Sequence, residues 1–326
     1  MSLRIATFNL ENLDDEQGVQ PTLAERIQIM RPQLERVSAD ILCLQEIHSS
    51  QDSSGTRTLA ALDEMLSGTP YQGYNRATTL TTSNQLYHER NIVTLSRFPF
   101  VSTRIVRDSE GPRPSYQLAT ASPADTTANP VEWERPMLYT QINIGSGRLL
   151  HLINVHLKSK LASSIPGQKL DSFTWRTVSA WAEGSFISSM KRVGQALQAR
   201  MLIDEIFDAQ GLGALVSVAG DFNSQADEVP VKAICGPVEE TGNPDHAARI
   251  MVPCENNIPE SARFSLLHLG NGQMLDHIIV SRSLLRYFRS AEIHNEALPD
   301  ESGAFRQDTK FPESDHAPVV AEFDLG

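Results

Sequence analysis

At 326 residues the chain is long enough to bury a sizeable core, and 40% hydrophobic with 21% charged residues excludes a disordered or fibrous protein. Its net charge of −12, from 28 basic and 40 acidic residues, counts against a partner gripped through its phosphate backbone by a basic surface. With no apolar run of about 18 residues there is no transmembrane helix. The first residues lack a charged segment followed by an apolar one, so a cytoplasmic location is expected.

In chain order, residues 3–10 alternate as a strand. Thr22-Leu23-Ala24-Glu25 is a capping box, and Leu23, Ile27, Met30, Leu34 and Val37 follow at helical spacing, so a helix should run to about Ser38. Ile41 to Gln45 is an apolar strand ending at Glu46, with Cys43 as a core thiol. A helix over 59–66 and strands over 71–76 and 91–96 come next. Residues 107–130 are rich in Pro, Ser, Thr, Ala and Asp and read as an excursion. Residues 137–144 and 149–156 form a hairpin through Gly145-Ser146-Gly147.

Residues 158–186 read as irregular. They carry Phe173, Trp175, Trp181 and Phe186, which would stack on a base, line a lid or pack as a small local core. Val193, Ala196, Leu197, Met201 and Ile206 mark a helix stopped by Gly211 and Gly213. Strands are expected at 214–220, 275–280 and 319–323. The three cysteines lack zinc spacing, and neither a repeat nor a flexible linker divides the chain, so residues 1–326 are expected to form one domain of two packed sheets with helices outside.

The chemistry concentrates at strand ends. Asp221 and Asn223, in Gly220-Asp221-Phe222-Asn223-Ser224, are alternate residues and can face one pocket, although an Asx-type turn would use the same pair. Asn9, Glu46, His156, Asp276 and Asp315 with His316 end or begin other strands. Each has a bland reading alone: a turn residue, a solvated carboxylate, a core histidine. Packing gives no reason for so many polar groups at so many strand ends.

In order, Ala6-Thr7-Phe8-Asn9, Leu44-Gln45-Glu46, Asn154-Val155-His156-Leu157-Lys158-Ser159, Gly220-Asp221-Phe222-Asn223-Ser224, Leu275-Asp276-His277 and Ser314-Asp315-His316-Ala317-Pro318 resemble the endonuclease/exonuclease/phosphatase superfamily. The resemblance implies an α+β fold, a four-layered αββα sandwich, with the site at one mouth of the two sheets. It implies Mg²⁺, or Mn²⁺, and hydrolysis of a phosphate ester. Carried over residue by residue, Glu46 becomes the main metal ligand, supported by Asn9 and Asp315. His316 becomes the catalytic histidine, with Asp276 orienting it. Asp221 and Asn223 stand beside the scissile phosphate, and His156 contacts it.

Arg90, Arg135 and Lys158 are further candidates for phosphate contact, and Glu89 a candidate partner of His156. A small phosphorylated molecule is the expected substrate. Nucleic acid and a catalytically silent binding module are the alternatives. Oligomeric state is not legible from the sequence.

Overall fold

Twelve strands carry the architecture in the computed structural model, which describes residues 1–111, 113–133, 135–303 and 310–326. They are β1 (Ser2–Leu13), β2 (Ile41–Ile47), β3 (Asn75–Thr78), β4 (Asn91–Ser96), β5 (Phe100–Val106), β6 (Met137–Asn143), β7 (Leu149–His156), β8 (Leu215–Asp221), β9 (Met251–Pro253), β10 (Asp276–Ser281), β11 (Phe288–Ile293) and β12 (Val319–Asp324). Two six-stranded sheets result, in the orders β11-β12-β1-β2-β4-β3 and β9-β10-β8-β7-β6-β5. Each has a single parallel pair near its middle, β1 with β2 and β7 with β8, in otherwise antiparallel surroundings.

The sheets pack face to face through Leu3, Ile5, Ile41, Leu150, Leu215 and Val280. Helices α1 (Leu23–Val37) and α2 (Ala60–Leu66) cover the first sheet, where Phe8, Leu42 and Leu44 meet Met30, Leu34 and Leu62. Helices α3 (Val178–Gln210) and α4 (Val229–Cys235) cover the second, where Val155, Val216 and Val218 meet Ala199, Ile203 and Val231. This is the expected αββα sandwich. The capping box at Thr22 is present, worth about 1 kcal/mol, and Ser38 ends α1.

Several elements differ from the sequence reading. α3 begins at Val178, not near residue 193, and spans 33 residues. Its first half exposes Val178, Trp181 and Phe186, so no single apolar stripe announces it. A 3₁₀ turn over Pro70–Gly73 replaces the start of the strand expected at 71–76, and the pairing begins at Asn75. β5 and β11 are edge strands whose side chains are largely exposed or half-buried, which removes the alternation that would have marked them.

The layer between the sheets changes character along the strands. On β1 the inward residues run Leu3, Ile5, Thr7, Asn9; on β7 Leu150, Leu152, Asn154, His156; on β8 Leu215, Ser217, Ala219, Asp221. Halfway, Thr7 donates to Gln45 Oε1 (3.3 Å), Gln45 Nε2 donates to Asn154 Oδ1 (2.8 Å), and Asn154 Nδ2 reaches the Val93 carbonyl (3.0 Å). These buried amides find partners in one another and in the main chain and so tie the two sheets together. They form the floor of a polar mouth.

Candidate active site

Strand alternation brings His156 and Asp221 to that mouth directly. They are opposed in the parallel β7–β8 register, and His156 Nε2 lies 3.4 Å from Asp221 Oδ2. The close approach of the two strands depends on Gly220, whose φ of +149° and tight fit against Val155 leave no room for a side chain. Asn9 Nδ2 donates to Asp221 Oδ2 at 3.1 Å. Asn223, at φ +49°, donates its backbone N–H to Asp221 Oδ1 (2.8 Å) and its amide to Asp221 Oδ2 (2.9 Å). The Asx turn and the shared pocket are one arrangement.

Glu46 arrives differently. Alternation along β2 would send it toward the helices with Leu44, but both ladders slip beside it: β1 pairs at Asn9–Gln45 and resumes at Leu13–Ile47, and β2–β4 pairing skips from Leu44 to Ile47. The residue itself is left-handed, φ +59°. The bulge re-aims the carboxylate, with Oε1 3.3 Å from His156 Nε2 and Oε2 accepting from the Asn12 N–H at 3.1 Å. Glu11 and Asn12 on the opposing bulge are also left-handed, at φ +46° and +49°. Each such non-glycine residue costs of order 1 kcal/mol or more, and such outliers gather at functional sites. Buried Arg26 of α1 holds this bulge by donating to the carbonyls of Leu10 (2.7 Å) and Asn12 (3.2 Å).

His316 and Asp276 complete the mouth. His316 Nδ1 lies 2.6 Å from Asp276 Oδ2, and Nε2 is 4.0 Å from Asp315 Oδ1. Burial works against a charged His316, but the charge and hydrogen bond of Asp276, with Asp221 and Asp315 nearby, hold its pKa well above 6.5. Burial pushes Asp221 up to about 7 and Asp315 up to about 6, with neighbouring carboxylates adding to the rise and His316 opposing it. His156 goes the other way: burial, then the adjacent Arg135 guanidinium, keep it neutral.

A family sequence profile described as the endonuclease/exonuclease/phosphatase family matches residues 6–316. The chain belongs to that family. Solved structures of similar fold include an endonuclease/exonuclease/phosphatase from Bacteroides vulgatus (16% identity, TM-score 0.58, all of both chains covered). A TDP2 of D. rerio, humanized by 14 mutations, superposes with TM-score 0.57 at 16% identity over 99% of each chain. An AP endonuclease from Archaeoglobus fulgidus does so with TM-score 0.52 at 16% identity, covering 99% of this chain and 100% of that one. None of the curated proteins compared matches the sequence.

Divalent metals serve this family generally, and the residues at this mouth suit one. The donors are oxygens and imidazole nitrogen, and Asp276 Oδ1 and Asp315 Oδ1 are buried with no hydrogen-bond partner. Among the described residues, Asp221, Asp276 and His316 place one ligand atom each within 4.8 Å of one another. His316, however, already engages Asp276 through Nδ1 and is held protonated, so it fits a cationic role among carboxylates better than a ligand role.

The lesser candidates divide. Buried Arg135 reaches the site, with Nη1 against His156 Nε2 and donating to the Leu157 carbonyl at 2.9 Å. Arg90 and Lys158 lie close enough for their charges to depress the His156 pKa, after burial, Arg135 and His316. The acidic neighbours of His156 are Glu46 and Asp221; Glu89 acts instead on His48.

Sequence reading passed over several supports. Glu11 accepts from the Asp315 N–H (3.2 Å), and burial with the Asp315 charge drives its pKa to about 8. Ser265 Oγ accepts from the Leu275 and Asp276 N–H groups, both at 3.0 Å, while its carbonyl takes the Ala317 N–H at 2.7 Å, which couples the Asp276 and His316 segments. Ser314 Oγ donates to the Asn9 carbonyl at 2.7 Å. None of these has a local pattern; only the fold brings them together.

Behind the site, His277 bridges Glu255 Oε1 (2.5 Å) and the Ser224 carbonyl (2.8 Å). Burial disfavours its cation, yet Glu255 raises its pKa above the ordinary 6.5. A raised folded-state pKa contributes stability that is complete below the unfolded value and is lost as pH rises through the folded one. The Tm advantage of the native protein over Glu255→Gln should therefore be largest below about pH 6.5 and shrink as the pH is raised, followed by thermal unfolding across pH. A constant difference would contradict a charged pair.

Proposed function

We propose that the chain is a divalent-metal-dependent phosphoesterase, using Mg²⁺ or Mn²⁺ to hydrolyse a phosphodiester or phosphomonoester by attack of an activated water. The supporting observation is the convergence of Glu46, His156, Asp221, Asp276 and His316 from five strands or strand ends: His156 lies 3.3 Å from Glu46 and 3.4 Å from Asp221, His316 lies 2.6 Å from Asp276, and Asp221, Asp276 and His316 place one ligand atom each within 4.8 Å of one another. Glu46, with Asp315 and Asn9, would hold the cation. When bound, a divalent ion polarises the phosphoryl group and neutralises developing charge, worth several kcal/mol.

The remaining work falls to the protein's own groups. Asn223 and neutral His156 would flank the phosphoryl group, and Arg135, donating to His156 Nε2, keeps that ring in place. Asp221, with a pKa raised to about 7, takes the proton of the attacking water at its carboxylate. His316, protonated and fixed by Asp276, stabilises the charge that grows on phosphorus-bound oxygen and donates to the leaving group through Nε2. In this assignment kcat/KM rises with pH as Asp221 ionises, with an acid limb at or below about 7 because a bound cation favours the carboxylate. It falls again well above 6.5 as His316 loses its proton, and a pH–rate profile checks both limbs.

A small phosphorylated molecule suits the net charge of −12. The nuclease reading is favoured by one observation, the fold-level likeness to an AP endonuclease. Turnover of bis-p-nitrophenyl phosphate and p-nitrophenyl phosphate with Mg²⁺ or Mn²⁺ tests the first reading. Salt-sensitive nicking of plasmid without turnover of either small ester would favour the second. A protein inert on every phosphate ester, and indifferent to Glu46→Ala, would sink both and leave a silent binding module.

A further inference from the structure

Beside the mouth, residues 158–177 leave β7 and fold over the first half of α3. Ser163 N–H donates to the Gly184 carbonyl (3.0 Å), Ser188 Oγ to the Leu161 carbonyl (2.7 Å), and the Trp175 ring packs on Gly184. A small core of Val131, Ile165 and Ile187, with Tyr116 and Trp175, supports this lobe from within. Its exterior is unusual. Leu161, Leu170, Phe173, Val178 and Trp181 are 50–80% exposed. Among the described residues, seven large apolar side chains are more than half exposed, and four of them fall within 161–178; the others, Val101, Val229 and Leu269, stand apart on different elements.

The charge of the lobe opposes that of the chain. Between 158 and 192 there are six basic residues against two acidic ones, in a protein of net charge −12. One of the acids, Glu183, is buried, accepting from Tyr116 and from the Ala119 and Thr120 N–H groups. Lys160 pairs with Glu228 at the lobe's base, and Lys169 lies over the Trp175 ring at 4.5 Å, while Arg176 is exposed between Phe173 and Val178.

We propose that this lobe docks the protein on a membrane surface containing anionic lipid. Exposed aliphatic and aromatic side chains enter the interfacial region while basic groups meet lipid phosphates, as interfacial protein segments do. A single-stranded nucleic acid would use the aromatics for stacking and the cations for phosphate. It would gain nothing from Leu161, Leu170 and Val178, which together are the larger part of the exposed apolar set. The inference does not depend on the catalytic assignments.

The test is co-sedimentation of the full chain with vesicles of phosphatidylcholine alone or of phosphatidylcholine and phosphatidylglycerol in equal parts, together with tryptophan fluorescence. The native protein should pellet with the mixed vesicles, release at high salt, and shift its emission to the blue. The double variants Leu161→Ser/Trp181→Ser and Leu170→Ser/Val178→Ser should each bind about tenfold more weakly, while keeping the native thermal transition and unchanged turnover of soluble phosphate esters. No pelleting with mixed vesicles, or equal pelleting of native and variant proteins, would overturn the proposal. Tight binding to oligothymidylate, lost with Trp181→Ser and without any vesicle binding, would assign the lobe to nucleic acid instead.

Discussion

Replacing His316 by alanine should lower kcat/KM on a phosphate ester by about 10³-fold, the range expected when a positioned proton-transfer and charge-stabilising group is removed. His316 stands among Asp221, Asp276 and Asp315, and its positive charge is what makes two buried carboxylates and a half-buried one tolerable beside one another. Without it, Asp221 and Asp315 lose the neighbour that opposes the upward push of burial on their pKa values, so the acid limb of the pH–rate profile should also move to higher pH. Asp276→Asn should lower the rate less, by about 10²-fold, because His316 remains but loses its fixed orientation and the ion that keeps it protonated. Steady-state kinetics at saturating metal, compared across pH, separates the two. Equal pH profiles in all three proteins would contradict the role given to His316.

Gly220→Ala should be the most damaging single methyl group in the chain. A Cβ there would lie 1.9 Å from the Val155 carbonyl oxygen and 2.8 Å from its carbon, both main-chain atoms of the adjoining strand. No rotamer change relieves a clash with backbone inside the parallel β7–β8 pair, and the φ of +149° is itself strained for any L side chain. The expected cost exceeds about 4 kcal/mol. For a chain of 326 residues that corresponds to a fall in Tm of roughly 6 °C or more, or failure to accumulate as folded protein. Scanning calorimetry beside Gly213→Ala, where an added Cβ meets nothing within 4 Å, reads the difference. Similar Tm values for the two variants would show that the strands are not as closely apposed as described.

Most of the site was legible because strand alternation delivers it. Asn9, His156 and Asp221 lie on the inward face of regular strands, and a period of two predicts where they point. Glu46 was legible as a residue type but not as a direction, since only the paired bulges and the left-handed backbone turn it to the mouth. Glu11 and Ser265 were not legible at all: each matters through a main-chain partner remote in sequence, Asp315 and Ala317 in turn. In the fold, the edge strands β5 and β11 and the first half of α3 escaped because each exposes residues that periodicity expects to find buried. On α3 that failure of the pattern is itself the signal from which the docking surface is argued.

The central claim is that the mouth between the two sheets holds a hard divalent cation against a phosphate. Soaking crystals with Mn²⁺ and inorganic phosphate, and mapping the metal by its anomalous scattering, tests it most directly. The account predicts one strong peak at about 2.0–2.2 Å from a carboxylate oxygen of Glu46, with a phosphate oxygen among its ligands and Asn223 and His316 around the anion. A manganese peak away from Glu46, or a phosphate bound outside this mouth, would contradict it.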